Sequence, residues 1–222
     1  MEPLADRASR LEAAGIFLGG PAQLFHTAGR KLLMTLLGEG LQPDSKVLDV
    51  GCGCLRGGYW LIHFLDSDCY FGIEPNVEML EAGTGILLEP GLTDLKRPHF
   101  DHNADFNFGV FGVKFDFLAA RSIWTHASKE QIQSMLDGFL RNSSGNGIFL
   151  TSYMRSTLRN RDYVGRGWIG RSHESKTPGM VYHNFRWIRA ECAKRGLTAE
   201  EITDTAYNFG SQTWIRIRHA RL

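Results

Sequence analysis

Long apolar runs are missing from this sequence. No stretch approaches eighteen uninterrupted apolar residues, which excludes a membrane-spanning helix. Cysteine is scarce, with four in the chain (Cys52, Cys54, Cys69 and Cys192), and a chain this long does not need disulfide staples, so all four read as reduced thiols. Cys52-Gly53-Cys54 lacks the two-to-four-residue gap and the second ligand pair that structural zinc requires, so no metal is expected. Met1 to Arg10 carries Glu2, Asp6, Arg7 and Arg10 where a secretion signal would have a basic and then an apolar region, which makes the cytoplasm the default compartment. Net charge is also small, at +1, and alone suggests no polyanionic partner. Repeats and low-complexity tracts are absent. What is present, 43% hydrophobic and 22% charged residues, is ordinary for a globular protein and excludes a disordered chain, a collagen-like repeat or a coiled coil.

At about 150 residues per domain, 222 residues fit one α/β domain with an embellishment. Apolar positions from Pro21 to Leu37 recur at helical spacing and close a helical segment over residues 1–45, a possible lid over a ligand. Residues 46–222 then alternate. Strands are expected at Lys46 to Val50, Cys69 to Ile73, Phe100 to Asn103, Phe115 to Ala120 and Gly147 to Ser152. Helices are expected at Gly57 to Phe64, Val77 to Leu88 and Lys129 to Leu140. Thr157 to Val181 has no periodicity, and a loop that long inside a domain is usually functional or disordered; its aromatic residues argue for function, as a substrate lid at about 155–182. A helix from Tyr182 to Arg195 follows, then strands at Ala199 to Thr203 and Gln212 to Arg218, close enough in sequence to pair antiparallel. The expected fold is a doubly wound, mostly parallel seven-stranded α/β sheet with an antiparallel C-terminal edge hairpin.

The strongest motif runs from Val47 through Asp49, Gly51 and Gly53 to Gly58: a strand, then glycines, then a helix. Glycines at the carboxyl end of a strand let a ligand approach the backbone closely. The dinucleotide fingerprint requires a third glycine where Arg56 stands, which disfavours a nicotinamide oxidoreductase, and no Gly-Lys-Ser/Thr follows to make a phosphate-binding P-loop. Glu74 ends the next strand 21 residues after Gly53, where a carboxylate can accept both hydroxyls of a ribose.

With these residues the sequence resembles the class I S-adenosylmethionine-dependent methyltransferases, from about Pro21 to Arg218. Asp49, Gly51 and Gly53 match the family's first motif, with Leu55 replacing its usual third glycine, and Glu74 matches its ribose acid. Asp105-Phe106 looks like the adenine-edge pair, and Phe115-Asp116-Phe117-Leu118-Ala119-Ala120-Arg121-Ser122 like the fourth-strand segment, continuing to Trp124-Thr125-His126. The resemblance implies S-adenosyl-L-methionine as cofactor, S-adenosyl-L-homocysteine as product, and Arg121 and Ser122 among the cofactor's contacts. Singly, Asp49 equally fits a turn cap and Glu74 a solvated carboxylate; Asp116 and the two loop cysteines fit structural roles better than chemical ones.

Two histidines are candidates for a general base. His126 follows the fourth strand, and His173 sits in the lid. A helix-start hydrogen bond explains His126 as well, and a surface position explains His173. Trp124, Tyr163, Trp168 and Arg171 are the candidate acceptor contacts, aromatic surface beside a cation for an anionic group. Between Arg155 and Arg195 ten Lys or Arg face three acids. That asymmetry keeps a nucleic-acid (RNA) methyltransferase open as the alternative to a small-molecule enzyme, alongside a non-catalytic cofactor-binding domain. Oligomeric state is not legible.

Overall fold

A short run of β-forming apolar residues bounded by turns gives a strand buried on both faces. Val47–Val50 (β1) and Tyr70–Ile73 (β2) are such strands, every residue of each buried, in a computed structural model that describes residues 2–172, 174–204 and 211–220. The chain divides into two compact units, Met1–Asn103 and Ala104–Leu222.

In the first unit β1 pairs parallel with β2, Leu48 opposite Phe71, and β2 pairs parallel with His99–Asp101 (β3). Its helices are Leu4–Ala13 (α1), Phe25–Gly38 (α2), Gly58–Phe64 (α3), Val77–Ala82 (α4) and Leu92–Lys96 (α5). Ala28, Leu32 and Leu36 of α2 join Leu48, Leu55 and Leu61 in the core. The helix expected to run from Val77 to Leu88 stops at Ala82 and continues as a π turn over Gly83–Leu87, because Gly83 and Gly85 are poor helix formers.

In the second unit Phe115–Ala120 (β4) pairs parallel with Ser143–Tyr153 (β5), which starts four residues before its expected beginning. The extra length is real pairing: Phe115 faces Ser143 across a bulge before the regular register begins at Phe117 and Ile148. Lys129–Asn142 (α6) opens with a capping box, the Ser128 hydroxyl accepting from the Gln131 amide and the Gln131 side chain from the Ser128 amide, and buries Ile132, Met135, Leu136 and Phe139. Phe185–Ala193 (α7) starts three residues later than expected, since Tyr182 and His183 bridge to Asp162 and Arg155 and Asn184 becomes the cap.

Leu197–Ile202 (β6) and Thr213–His219 (β7) form the antiparallel hairpin, with β7 also antiparallel to β5. Across the sheet the order is β3-β2-β1-β4-β5-β7-β6, the expected seven strands with the last strand inside the edge. Among the described residues no helix is long and apolar enough to cross a membrane.

Candidate active site

In the first unit the site is made by backbone. After β1 the chain turns through Gly51 (φ 72°) and Gly53 (φ 57°), and the Gly51 and Cys52 amides both donate to the Ile73 carbonyl at the end of β2. The left-handed region is open to glycine without a Cβ penalty, and a Cβ at Gly53 would meet nothing nearer than the Met79 sulfur at 3.5 Å. Leu55 sits at φ 63° and is fully buried, so the loop keeps a glycine-like conformation where the usual third glycine is missing.

Glu74 reaches this loop directly. One carboxylate oxygen accepts from the Gly53 amide at 3.0 Å and the other from the Asn76 amide at 2.9 Å, while Asn76 caps α4 through the Met79 amide. A carboxylate has about four lone-pair sites, so two backbone bonds fix its plane and leave it the chemistry of an acceptor of ligand hydroxyls. Asp49 is buried and accepts from the Tyr70 hydroxyl at 2.9 Å. Burial, then Asp49 and Cys52, holds the Tyr70 phenol well above its ordinary range, so it stays a donor. Burial likewise pushes the Cys54 thiol up to about 11, and Cys52 well above its usual value with the Asp49 and Glu74 carboxylates adding to the effect. Both thiols are therefore protonated at neutral pH. Among the described residues no His, Cys, Asp and Glu cluster could hold a metal ion.

Arg56 was legible only as the residue that breaks the dinucleotide fingerprint. Its guanidinium donates to the carbonyls of Leu18 (3.2 Å), Gly19 (2.9 Å), Leu24 (3.0 Å) and Phe25 (3.3 Å) and lies over the Phe25 ring. One side chain thus fastens the segment before α2 to the loop after β1.

In the second unit a directed hydrogen-bond chain joins three strand ends. The Ser122 amide donates to the Ser152 hydroxyl (2.8 Å), which donates to the Gln212 carbonyl (2.7 Å). The Gln212 amide donates to the Ser122 hydroxyl (2.8 Å), which lies 3.2 Å from the Thr125 hydroxyl, itself a donor to the Ser122 carbonyl. Ser122 holds φ 60° within this ring, and Phe106 holds φ 59°; non-glycine residues in that region are uncommon and persist where their surroundings enforce them. Asp105 is exposed and accepts from the Asn107 amide, and Arg121 is half-buried at the end of β4.

His126 is tied to the lid in both directions. Its Nδ1 lies 2.7 Å from the Ile169 carbonyl, the Ile169 amide donates to the His126 carbonyl at 2.9 Å, and the ring stacks on Trp168. Burial lowers its pKa, against the Ile169 and Gly179 carbonyls, which favour the protonated ring. The neutral imidazole then carries its proton on Nδ1 and its lone pair on Nε2. Trp168 is half-buried with its indole N–H unpartnered.

Trp124, expected to face an acceptor, is a correction. It is fully buried with its ring edge-on to Phe149, a core position and not an exposed aromatic surface. Tyr163 spends its hydroxyl on the Gly167 carbonyl, and Arg171 is exposed. His173 lies outside the described residues.

No protein-family model matches the chain. Among solved structures, the DhpI–SAH complex superposes with a TM-score of 0.62 at 13% identity, over 99% of this chain and 96% of that one. The magnesium protoporphyrin IX methyltransferase ChlM from Synechocystis PCC 6803 with bound SAH gives 0.61 at 14%, over 90% and 84%. The glycopeptide N-methyltransferase MtfA gives 0.63 at 10%, over 88% and 90%. The likeness establishes that this chain has the fold of the class I methyltransferases.

Proposed function

We propose that this chain transfers a methyl group from S-adenosyl-L-methionine to an O, N or S atom of a small molecule bearing an anionic group. One observation carries the cofactor reading: the left-handed loop Gly51–Leu55 and the Glu74 carboxylate bonded to it at Gly53. That pair fits a ribose, whose hydroxyls need a fixed acceptor beside backbone that a ligand can approach. Two of the structural neighbours being complexes with SAH supports the same choice. Asp105, Phe106, Arg121 and Ser122 keep the cofactor contacts that the resemblance gives them, and the segment over residues 1–45 is the proposed cover, held by Arg56.

When bound, the cofactor supplies an electrophilic methyl group on a cationic sulfonium. The protein's own residues contribute alignment and exclusion of water, since transfer to a nucleophile removes charge and needs little else. An alcohol or phenol acceptor also needs its proton removed. His126 fits that task through Nε2, with Nδ1–H on the Ile169 carbonyl fixing the tautomer and ring plane. Arg171 and Trp168 are the proposed acceptor contacts, with the 155–182 segment as lid. The porphyrin and glycopeptide acceptors named for two neighbours support a small-molecule substrate, and the cytoplasm is the proposed compartment.

The test is thermal denaturation with candidate ligands. S-adenosylhomocysteine is expected to raise the melting temperature by mass action on the native state, whereas NAD(H) and NADP(H) leave it unchanged. A shift with a nicotinamide cofactor alone would overturn the reading.

A further inference from the structure

The lid has a surface that the methyl-transfer reading does not use. Besides Arg171, which the methyl-transfer reading assigns to the acceptor, the segment from Thr157 to Met180 carries Arg159, Arg161, Arg166 and Lys176, all exposed, and among the described residues none of these side chains has a hydrogen-bonding or ionic partner. Both acids of the segment are engaged: Asp162 with Lys129 at 2.6 Å and Glu174 with Gln131 at 2.9 Å. The cations are therefore left to solvent.

Aliphatic side chains stand among them. Leu158 is 100% exposed, Val164 81% and Met180 49%. Leu158 occupies the tip of a tight turn, closed by the Thr157 amide on the Asn160 carbonyl at 2.7 Å and the Asn160 amide on the Thr157 hydroxyl at 3.0 Å. The base of this tongue is fixed by the Ser156 amide on the His183 carbonyl, the Tyr163 amide on the Tyr182 carbonyl and the Asn184 amide on Asp162. A rigid base thus presents Leu158 with Arg159 and Arg161 directly after it. Single exposed leucines are commonplace; three aliphatics interspersed with four unpaired cations are not.

We infer that this tongue is a contact site for an anionic lipid bilayer, with Leu158 entering the headgroup boundary and the arginines meeting lipid phosphates. Basic residues beside inserted apolar ones are the chemistry of peripheral membrane attachment. A single-stranded nucleic acid would use the same cations but also needs aromatic faces on which bases stack. The lid's aromatics are otherwise occupied, Trp168 against His126 and Tyr163 edge-on to His183 with its hydroxyl bonded to Gly167, whereas the exposed apolar groups are aliphatic.

The experiment is co-sedimentation of the full chain with vesicles of phosphatidylcholine alone and of phosphatidylcholine with an equal share of phosphatidylglycerol. Binding is expected only to the anionic vesicles and to weaken with salt. Arg159→Ser and Arg161→Ser should each reduce it about fivefold. Leu158→Ser should reduce it several-fold with the melting temperature unchanged, because the side chain touches nothing in the fold. Absence of binding to anionic vesicles, binding that ignores Leu158→Ser, or tighter binding to a single-stranded RNA than to the vesicles would each overturn the assignment. The outcome is independent of the cofactor reading, since no ligand is present in the assay.

Discussion

Replacing Arg56 by Met removes the guanidinium while keeping a stem of similar reach against Phe25. The lost contacts are four hydrogen bonds from a charged donor to the carbonyls of Leu18, Gly19, Leu24 and Phe25. A bond to a charged group contributes about 1.5–3 kcal/mol when buried. Water can replace the donors at Gly19 and Leu24, which lie on the exposed side, and burial of the guanidinium itself carries a desolvation cost that lowers its pKa. Counting the two half-buried bonds in full and discounting the rest gives a net loss of about 3 kcal/mol. For a chain of this length that is a fall in melting temperature of roughly 6–12 °C. Arg56→Lys should recover less than half of it, since one ammonium cannot span carbonyls on both sides of the fork. Differential scanning calorimetry measures the effect, and a loss in Arg56→Met below about 0.5 kcal/mol, the range of an ordinary surface substitution, would refute the claim that this side chain fastens the N-terminal segment.

Glu74→Ala should weaken S-adenosylhomocysteine binding by about 1–3 kcal/mol in calorimetry, because ligand hydroxyls lose their acceptor; unchanged affinity would mean the wrong carboxylate. In Gly29→Ala the new methyl would lie 2.0 Å from the Arg56 carbonyl oxygen, a backbone atom, so urea denaturation should show a loss of at least about 2 kcal/mol. Arg171→Ala should raise KM for an anionic acceptor far more than it alters cofactor affinity, and equal activity at subsaturating acceptor would remove Arg171 from the site. Glu191 gives a pH test. Burial would raise its pKa, but Lys194, Gln133 and Arg195 outweigh burial and hold the carboxyl at about 2, below its ordinary 4.5. A depressed carboxylate stabilises the native state above the unfolded value and stops doing so as pH falls through the folded one. The advantage of wild type over Glu191→Gln, about 2 kcal/mol at neutral pH, should therefore vanish between pH 4.5 and about 2.

The inner strands were readable because burial on both faces demands nearly continuous apolar residues, broken only by Asp49 in Val47–Val50 and Asp116 in Phe115–Ala120. Departures have local causes. Helix α5 is five residues between two left-handed caps, Gly91 and Arg97, too short to show a period. The first residues of β5, Ser143 to Asn146, are poor strand formers, anchored where Ser143 pairs with Phe115 before the bulge and meets the His219 ring nitrogen. Which strand of the hairpin lies inside was in principle visible: β7 buries Trp214, Ile215 and Ile217, whereas β6 carries Glu200 and Glu201, which suit an edge.

The candidate residues of the first unit and those of the second differ in legibility for a physical reason. A site made of backbone needs unusual φ values, and those select glycine, so the loop after β1 left a mark in residue type. Even its exception obeys the rule: Leu55 at φ 63° costs about 1–2 kcal/mol, which complete burial of its side chain offsets by a similar amount, so the loop keeps its shape without the third glycine. A site made of side-chain hydrogen bonds leaves no such mark. Ser122, Thr125, Ser152 and Gln212 are common residues separated by up to 90 positions, and only the strands that carry them bring them together. His126 was found because imidazole is chemically conspicuous, yet its two bonds to Ile169 and its stack on Trp168 show that one residue can both fasten the lid and hold a lone pair on Nε2. His126→Gln separates these roles. The amide can still donate to the Ile169 carbonyl but cannot take a proton at neutral pH, so kcat should fall for an alcohol acceptor and hold for a thiolate or carboxylate.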